Sequence, residues 1–184
     1  MKQLHAIMRA VWARLLVGGL AVVACALAAH AQPSPLEYQV KASYLYNFIQ
    51  FIAWPRAAFA ADQKFNLCVA GAERFGASLD VFAGERVDGH EIVIRRLERD
   101  TSVRPARCHL LFIAAGAIEA ASPEGLGEHG VLTVGEVPNF LDRGGVINLV
   151  EVRGRIRFEI NQQAARQAGL VISSRILSLA VNKP

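Results

Sequence analysis

Cysteine is scarce in this sequence, with 3 in 184 residues, and none stands at the short spacings from another cysteine or a histidine that zinc or haem sites need. A G-x-S-x-G nucleophile motif is absent as well. Cys108 and His109 are adjacent, but neighbours on a strand face opposite sides, so they cannot form a nucleophile–base couple. The sequence therefore gives no positive evidence for catalysis, and none for a bound cofactor or metal.

Long apolar runs are also lacking, except for one near the start of the chain. Leu15–Ala29 spans about 15 residues, short of the roughly 20 that a membrane-crossing helix requires. Basic residues precede this run, and Ala29-His30-Ala31 follows it as an A-x-A cleavage pattern. These features predict a signal peptide over residues 1–31, cleaved before Gln32, and export of residues 32–184 as one domain. The alternative is a lipoprotein anchored at Cys25, because Val22-Val23-Ala24-Cys25 resembles a lipobox.

An excess of positive charge is missing once the leader is set aside. Residues 32–184 hold 17 basic and 16 acidic side chains, because Lys2, Arg9 and Arg14 lie in the leader. No basic stripe with interleaved aromatic residues remains, which excludes a nucleic-acid partner. Arg153, Arg155 and Arg157 alternate along a predicted strand, and a solvated strand face accounts for them.

Apolar periodicity predicts an alternation of helices and strands. A first helix, over Leu36–Ala53, carries aromatic residues at three- and four-residue steps and ends before Trp54-Pro55. The further predicted helices are Phe75–Phe82, Gln162–Ala168 and Ser174–Val181, and the predicted strands are Phe65–Gly71, Glu91–Leu97, Cys108–Ala114, Val131–Val134, Val146–Val152 and Arg155–Ile160. Arg153-Gly154 predicts a tight hairpin between the last two strands. This order predicts an α/β fold, a single-domain sandwich of a mixed, partly parallel sheet flanked by helices.

One segment matches a dinucleotide-binding motif in letters alone. Gly125–Gly130 (GLGEHG) fits G-x-G-x-x-G, but a strand should precede such a motif and a helix should follow it. Here a strand follows instead. We therefore interpret the segment as a surface loop.

The two cysteines outside the leader, Cys68 and Cys108, are the sharpest chemical signal. In an oxidising compartment an even pair favours a disulfide, and the bridge is possible if their strands are neighbours. Closing a loop of about 40 residues would stabilise the fold by roughly 4 kcal/mol in the entropic model. A structural cross-link, two buried thiols and a redox-responsive pair all remain open at this point.

The segments taken together resemble a known family. Lys41–Pro55 (KASYLYNFIQFIAWP) is similar to the characteristic helix of YfiR/HmsC-like periplasmic proteins (DUF4154). The match continues in order over about residues 36–180, through FNLCVAG, CHLLFI, VLTVGEVPNF, GGVINLV, RIRFEIN and SSRILSLA.

The resemblance implies a periplasmic repressor that is not an enzyme and needs no cofactor. It would bind the periplasmic domain of an inner-membrane diguanylate cyclase. Such repressors lower cyclic di-GMP and biofilm formation, and envelope redox stress relieves them. Cys68 and Cys108 match the first cysteine pair of the family and so inherit its redox-sensing role. A second pair found in some relatives has no counterpart within residues 140–159. The resemblance also implies a homodimer.

The surface that meets the partner is predicted less sharply. The candidate partner-binding residues are Glu159 and Arg175 in the C-terminal segments, Tyr44 and Phe48 in the first predicted helix, and Trp54 just after that helix. The three aromatic residues have core packing as an alternative role. A small-molecule-binding envelope module without a cyclase partner is the alternative function, since α/β sheets offer clefts at their strand ends.

Overall fold

A computed structural model describes residues 35–59, 63–71, 74–97, 108–117 and 130–182. All of them lie within one compact unit, Ser34–Pro184. The predicted signal peptide, Cys25 and all of the Gly125–Gly130 segment except Gly130 lie outside the described residues.

The described part of the chain begins with one long helix, and two short helices lie near its C-terminal end. The helices are α1 (Pro35–Phe51), α2 (Ala77–Asp80), α3 (Gln162–Gln167) and α4 (Ser174–Leu179). The strands are β1 (Ile52–Ala53), β2 (Lys64–Ala70), β3 (Arg86–Val87), β4 (His90–Leu97), β5 (Leu110–Ile113), β6 (Leu132–Gly135), β7 (Ile147–Val152), β8 (Arg155–Ile160) and β9 (Val171–Ile172). A 3-10 turn covers Arg56–Phe59.

Seven of the strands form one mixed sheet in the order β3-β4-β2-β5-β6-β7-β8. The five strands from β4 to β7 are parallel to their neighbours, whereas β3 and β8 run antiparallel at the edges. This confirms the predicted α/β fold with a mixed, partly parallel sheet flanked by helices.

Both faces of the central strands are covered, as is usual for parallel strands in an α/β sheet. On β2, Phe65, Leu67 and Val69 pack in a large core against α1, and Cys68 and Ala70 pack on the opposite face. Phe48 and Phe112 are fully buried in the large core. The sheet is therefore a central layer between two apolar clusters of unequal size.

Two predicted helices are shorter than their apolar patterns. α1 ends at Phe51, because Ile52 and Ala53 pair antiparallel with β9 instead of continuing the helix. Trp54-Pro55 follows, which favours extended backbone just before the proline. The predicted helix over Phe75–Phe82 is helical only over Ala77–Asp80, where an exposed Gly76 precedes it without a side-chain cap.

Local sequence signals account for the C-terminal elements. Arg153 and Gly154 both have positive φ, of 52° and 72°, as a two-residue type I′ hairpin requires. Asn161 caps α3, because its Oδ1 accepts from the Ala164 N–H at 2.9 Å. Ser173 caps α4 in the same way through the Ile176 N–H.

Candidate functional site

Cys68 and Cys108 form a disulfide, with their Cα atoms 5.8 Å apart. Cys68 lies in the middle of β2, and Cys108 lies two residues before its parallel neighbour β5. The bridge therefore ties the chain that enters β5 to the strand beside it. It is buried, because Cys68 is 0 % exposed and Cys108 7 %.

The disulfide belongs to the smaller apolar cluster, which we call the small core. Its buried members are Cys68, Ala70, Cys108, Leu111, Ile113, Ala117, Val131 and Phe140. Phe140 fills the space left by two glycines, since a Cβ on Gly135 or Gly145 would overlap its ring. The small core thus has little free volume around Phe140, and the two sulfurs are part of its packing.

His109, the residue after Cys108, connects the bridge to Trp54, which lies just after β1. The His109 ring packs on the opposite side of β5 from the small core, stacked on Phe59 at 4.5 Å. Its Nδ1 accepts from the Asn66 N–H at 2.9 Å, so Nε2 carries the proton and donates to the Ala58 carbonyl at 3.1 Å. The Trp54 indole N–H donates to the His109 carbonyl at 3.0 Å. His109 is therefore the one residue between Cys108 of the bridge and the hydrogen bond from Trp54.

A buried ionic cluster lies at the carboxyl ends of β5 and β6. Glu136, just after β6, accepts from the Lys41 Nζ at 2.6 Å and from the Tyr38 hydroxyl at 3.1 Å. It also accepts from the Ala115 N–H at 3.3 Å. Lys41 bonds to Glu37 as well. Because the Lys41 and Glu136 side chains are only 7 % and 8 % exposed, this pair fixes α1 against the sheet.

The ionic cluster raises the pKa values of two of its members, Tyr38 and Lys41. Burial and the neighbouring Glu136 carboxylate raise the pKa of Tyr38 to about 12. Burial alone would lower the pKa of Lys41, but its hydrogen bonds to Glu136 and Glu37 outweigh burial and raise it. Both groups therefore keep their protons well above neutral pH.

The predicted aromatic partner residues lie mainly inside the protein. Phe48 is 0 % exposed, and Tyr44 stacks on it with ring centroids 6.0 Å apart. The Tyr44 hydroxyl donates to the Ile156 carbonyl at 3.1 Å. Trp54 is partly buried, and its ring meets Phe65 edge-on at 4.9 Å. All three residues contribute to the core that holds α1.

The two predicted C-terminal residues are more accessible. Glu159 is half-buried on β8, directly opposite Asn148 of β7. Arg175 is exposed in α4, and its guanidinium lies 5.0 Å from the centroid of the Phe51 ring. Of the five candidates, these two present charge at the surface.

The ionic cluster was not predicted from the sequence. Lys41 was visible as a charge within an apolar helix stripe, and Glu136 as a lone acid after a buried strand. Their pairing depends on how α1 crosses the sheet, and spacing along the chain does not specify that.

Two kinds of feature are absent from the described ranges, a membrane-spanning helix and a group of metal ligands. No helix there is long and apolar enough to cross a bilayer. Within the same ranges, no group of three or more histidine, cysteine, aspartate or glutamate side chains is arranged to hold a metal ion.

Two solved structures are similar to the chain, and the first of them supports the fold. A conserved domain protein from Vibrio cholerae O1 biovar El Tor is similar with a TM-score of 0.50 at 13 % identity, over 80 % of this chain and 60 % of that one. The chain thus spans about 60 % of the length of this structure. The ABC domain from Streptococcus pneumonia in complex with L-Trp aligns with a TM-score of 0.46 at 11 % identity, over 66 % of this chain and 55 % of that one.

Comparison with protein families gives a more specific result. None of the curated proteins matches the chain. The model of the YfiR/HmsC-like family, DUF4154, matches residues 38–181, which include both cysteines, Lys41 and Glu136. This match covers most of the sequence, and the chain belongs to the YfiR/HmsC-like family.

Proposed function

We propose that this protein is a periplasmic repressor that binds the periplasmic domain of an inner-membrane diguanylate cyclase and holds it inactive. Binding would lower cyclic di-GMP and, with it, biofilm formation. Family membership over residues 38–181 carries this proposal, because the family suggests a periplasmic regulator. The predicted leader over residues 1–31 supports it, since such a partner is reached only after export.

In this proposal the Cys68–Cys108 bridge is the redox-sensitive element. A disulfide that closes a 40-residue segment stabilises the bridged fold by about 4 kcal/mol in the entropic model. That energy corresponds to a shift of up to about a thousandfold between two conformations. Reduction is therefore able to release the partner if the partner binds only the bridged conformation.

The surroundings of the bridge support coupling to a distant surface. Loss of the bond would free the chain entering β5, where His109 holds both Asn66 and Ala58. His109 is bonded in turn to Trp54, the residue just after β1. A change in the small core would thus reach the opposite face of the sheet.

The cyclase-binding surface in this proposal lies on the C-terminal side of the fold. Glu159 and Arg175 offer accessible charges there. The burial of Phe48 supports a packing role for the aromatic face of α1. Partner contact through Phe48 would require α1 to move, whereas Tyr44 and Trp54 are only partly buried.

Co-purification from membranes tests the proposed partner. Tagged protein, expressed with its own leader, is captured from detergent-solubilised membranes, and the bound proteins are identified by mass spectrometry. We expect a cyclase with a periplasmic sensor domain, and its activity should fall when purified protein is added back. Capture of no such cyclase, or an added-back protein that leaves its activity unchanged, would contradict the proposal.

A cavity favours a second function, small-molecule binding in the envelope. It has a volume of about 210 Å³ between α3, β9 and α4, with Leu170, Ile172 and Leu177 in its wall and Gln162 and Arg166 among its polar lining. Apolar walls with a few polar groups are typical of ligand sites. A thermal-shift screen against amino acids, nucleotides and peptidoglycan fragments should then find one ligand that raises Tm saturably. An Arg166→Ala variant that responds equally would place binding elsewhere.

A further inference from the structure

The outer edge of β8 carries unused hydrogen-bonding capacity. β8 is the last strand of the sheet, and Ile156, Phe158 and Ile160 point their backbone groups away from β7. The N–H groups of Ile156 and Phe158 bond to none of the described residues. Unpaired strand edges are templates for pairing with another strand.

The C-terminal tail covers part of this edge. The Val181 N–H donates to the Phe158 carbonyl at 2.9 Å. The Asn182 side-chain amide bonds both backbone groups of Ile160, accepting from the N–H at 2.8 Å and donating to the carbonyl at 3.0 Å. The tail thus imitates a neighbouring strand with one backbone group and one side chain.

The side chains of β8 are arranged to suit a second copy of the same strand. The backbone groups of β8 that point away from β7 can pair only with the equivalent groups on the other copy. An antiparallel pair of β8 strands related by a two-fold axis can therefore be centred on Phe158. In that register Ile156 pairs with Ile160 of the other copy, and Arg157 lies opposite Glu159 twice by symmetry. Arg157 is exposed and Glu159 half-buried, and neither forms an ion pair with any described residue.

We propose that the outer edge of β8 is a self-complementary dimerisation strand, which Val181–Asn182 covers in the free chain. Two sheets would join edge to edge through Phe158, with an Arg157–Glu159 pair on each side of the axis. The tail regulates this contact, because it must leave Phe158 and Ile160 before a second copy can bind. The Tyr44 hydroxyl must also release the Ile156 carbonyl.

Uncovering the edge is the first test. The dimer dissociation constant of the full chain is measured by analytical ultracentrifugation for the unchanged protein, for Asn182→Ala and for a chain ending at Ala180. We expect both variants to dimerise at least tenfold more tightly, with melting curves confirming that they are folded. An unchanged constant in a folded variant would overturn the proposal.

Charge exchange is the second test, and it does not depend on the tail variants folding. Arg157→Glu and Glu159→Arg are each measured over the same concentration series, alone and combined, in the intact chain and with Asn182→Ala. Each single change should weaken dimerisation at least tenfold, and the double exchange should restore it. Arg155→Glu is the matched control, since its position faces Asn161 in the paired register. Equal effects of the control and the single changes, or no restoration, would overturn the proposal.

Hydrogen exchange locates the contact. The amides of Ile156 and Phe158 should exchange rapidly in dilute protein and become protected at concentrations that give the dimer. A dimer that leaves both amides unprotected uses another surface, and an edge that is protected only when another protein is added is a docking strand for that protein. Either result would contradict self-pairing.

Discussion

Removing the disulfide should destabilise the protein by an amount that its loop size sets. The bridge joins residues 40 positions apart, and the entropic model gives about 4 kcal/mol for a loop of that length. Cys68→Ala/Cys108→Ala is the preferred variant, because serine would add hydroxyl groups to the small core that need partners. Loss of two buried sulfur atoms adds a smaller packing cost.

Urea denaturation measures this loss. Trp54 fluorescence is a suitable signal, because the indole bonds to the residue after Cys108. With a urea m-value of about 2 kcal/mol/M, the midpoint should fall by about 2 M in the reduced protein and in the double variant. Cys108→Ala alone should lose as much as the double variant, since either change abolishes the bond.

A small difference in the free energy of unfolding between the oxidised and reduced proteins would contradict this prediction. A change below about 1 kcal/mol would mean that the unfolded chain is not constrained by the bridge, or that the bridge strains the fold. A disulfide of that kind could not shift a partner-binding equilibrium as we propose.

Three further predictions concern packing and charge in the fold. Lys41→Met should lower the free energy of unfolding by about 3–5 kcal/mol in urea denaturation, because it leaves Glu136 buried without its cation. The double variant Lys41→Met/Glu136→Gln should recover much of that loss. Equal stability of the single variant and the parent would show that the ion pair does not stabilise the fold. The free energy of unfolding should fall by up to about 2–3 kcal/mol between pH 10 and pH 12, because the unfolded chain loses the Tyr38 proton near 10.0 whereas the folded chain keeps it to about 12. In thermal melts between pH 10 and pH 12, Tm should fall less in Tyr38→Phe than in the parent. An identical fall of Tm would assign the pH dependence to other groups, such as Lys41, whose pKa is raised too. Gly145→Ala should cost about 1–3 kcal/mol by calorimetry because its Cβ would overlap the Phe140 ring, and Phe140→Leu in the same chain should recover part of that loss; a neutral Gly145→Ala would show that the small core is loosely packed.

Local sequence patterns predicted the central part of the fold well. β5 is an apolar run that is buried throughout, and β2 is buried from Phe65 onward, with Asn66 as its one buried polar residue. The hairpin at Arg153-Gly154 followed from its turn residues. Strand periodicity and turn chemistry are local properties, so a single sequence is enough to reveal them.

Short elements that depend on long-range pairing were not predictable. β1 exists because Ile52 and Ala53 meet Val171 and Ile172, more than a hundred positions later. The same limit applies to the ionic cluster, since Lys41 and Glu136 are 95 positions apart. The disulfide was anticipated as possible because only two cysteines remained, but its geometry depended on β2 and β5 being neighbours.

Titration calorimetry of the purified protein against the periplasmic domain of a cyclase that co-purifies with it shows whether the disulfide controls partner binding. The oxidised protein, the reduced protein and Cys68→Ala/Cys108→Ala are compared in the same buffer. We expect the oxidised protein to bind the cyclase domain at least tenfold more tightly than the reduced protein, and the reduced protein and the variant to have the same affinity. Equal affinity of all three would contradict it.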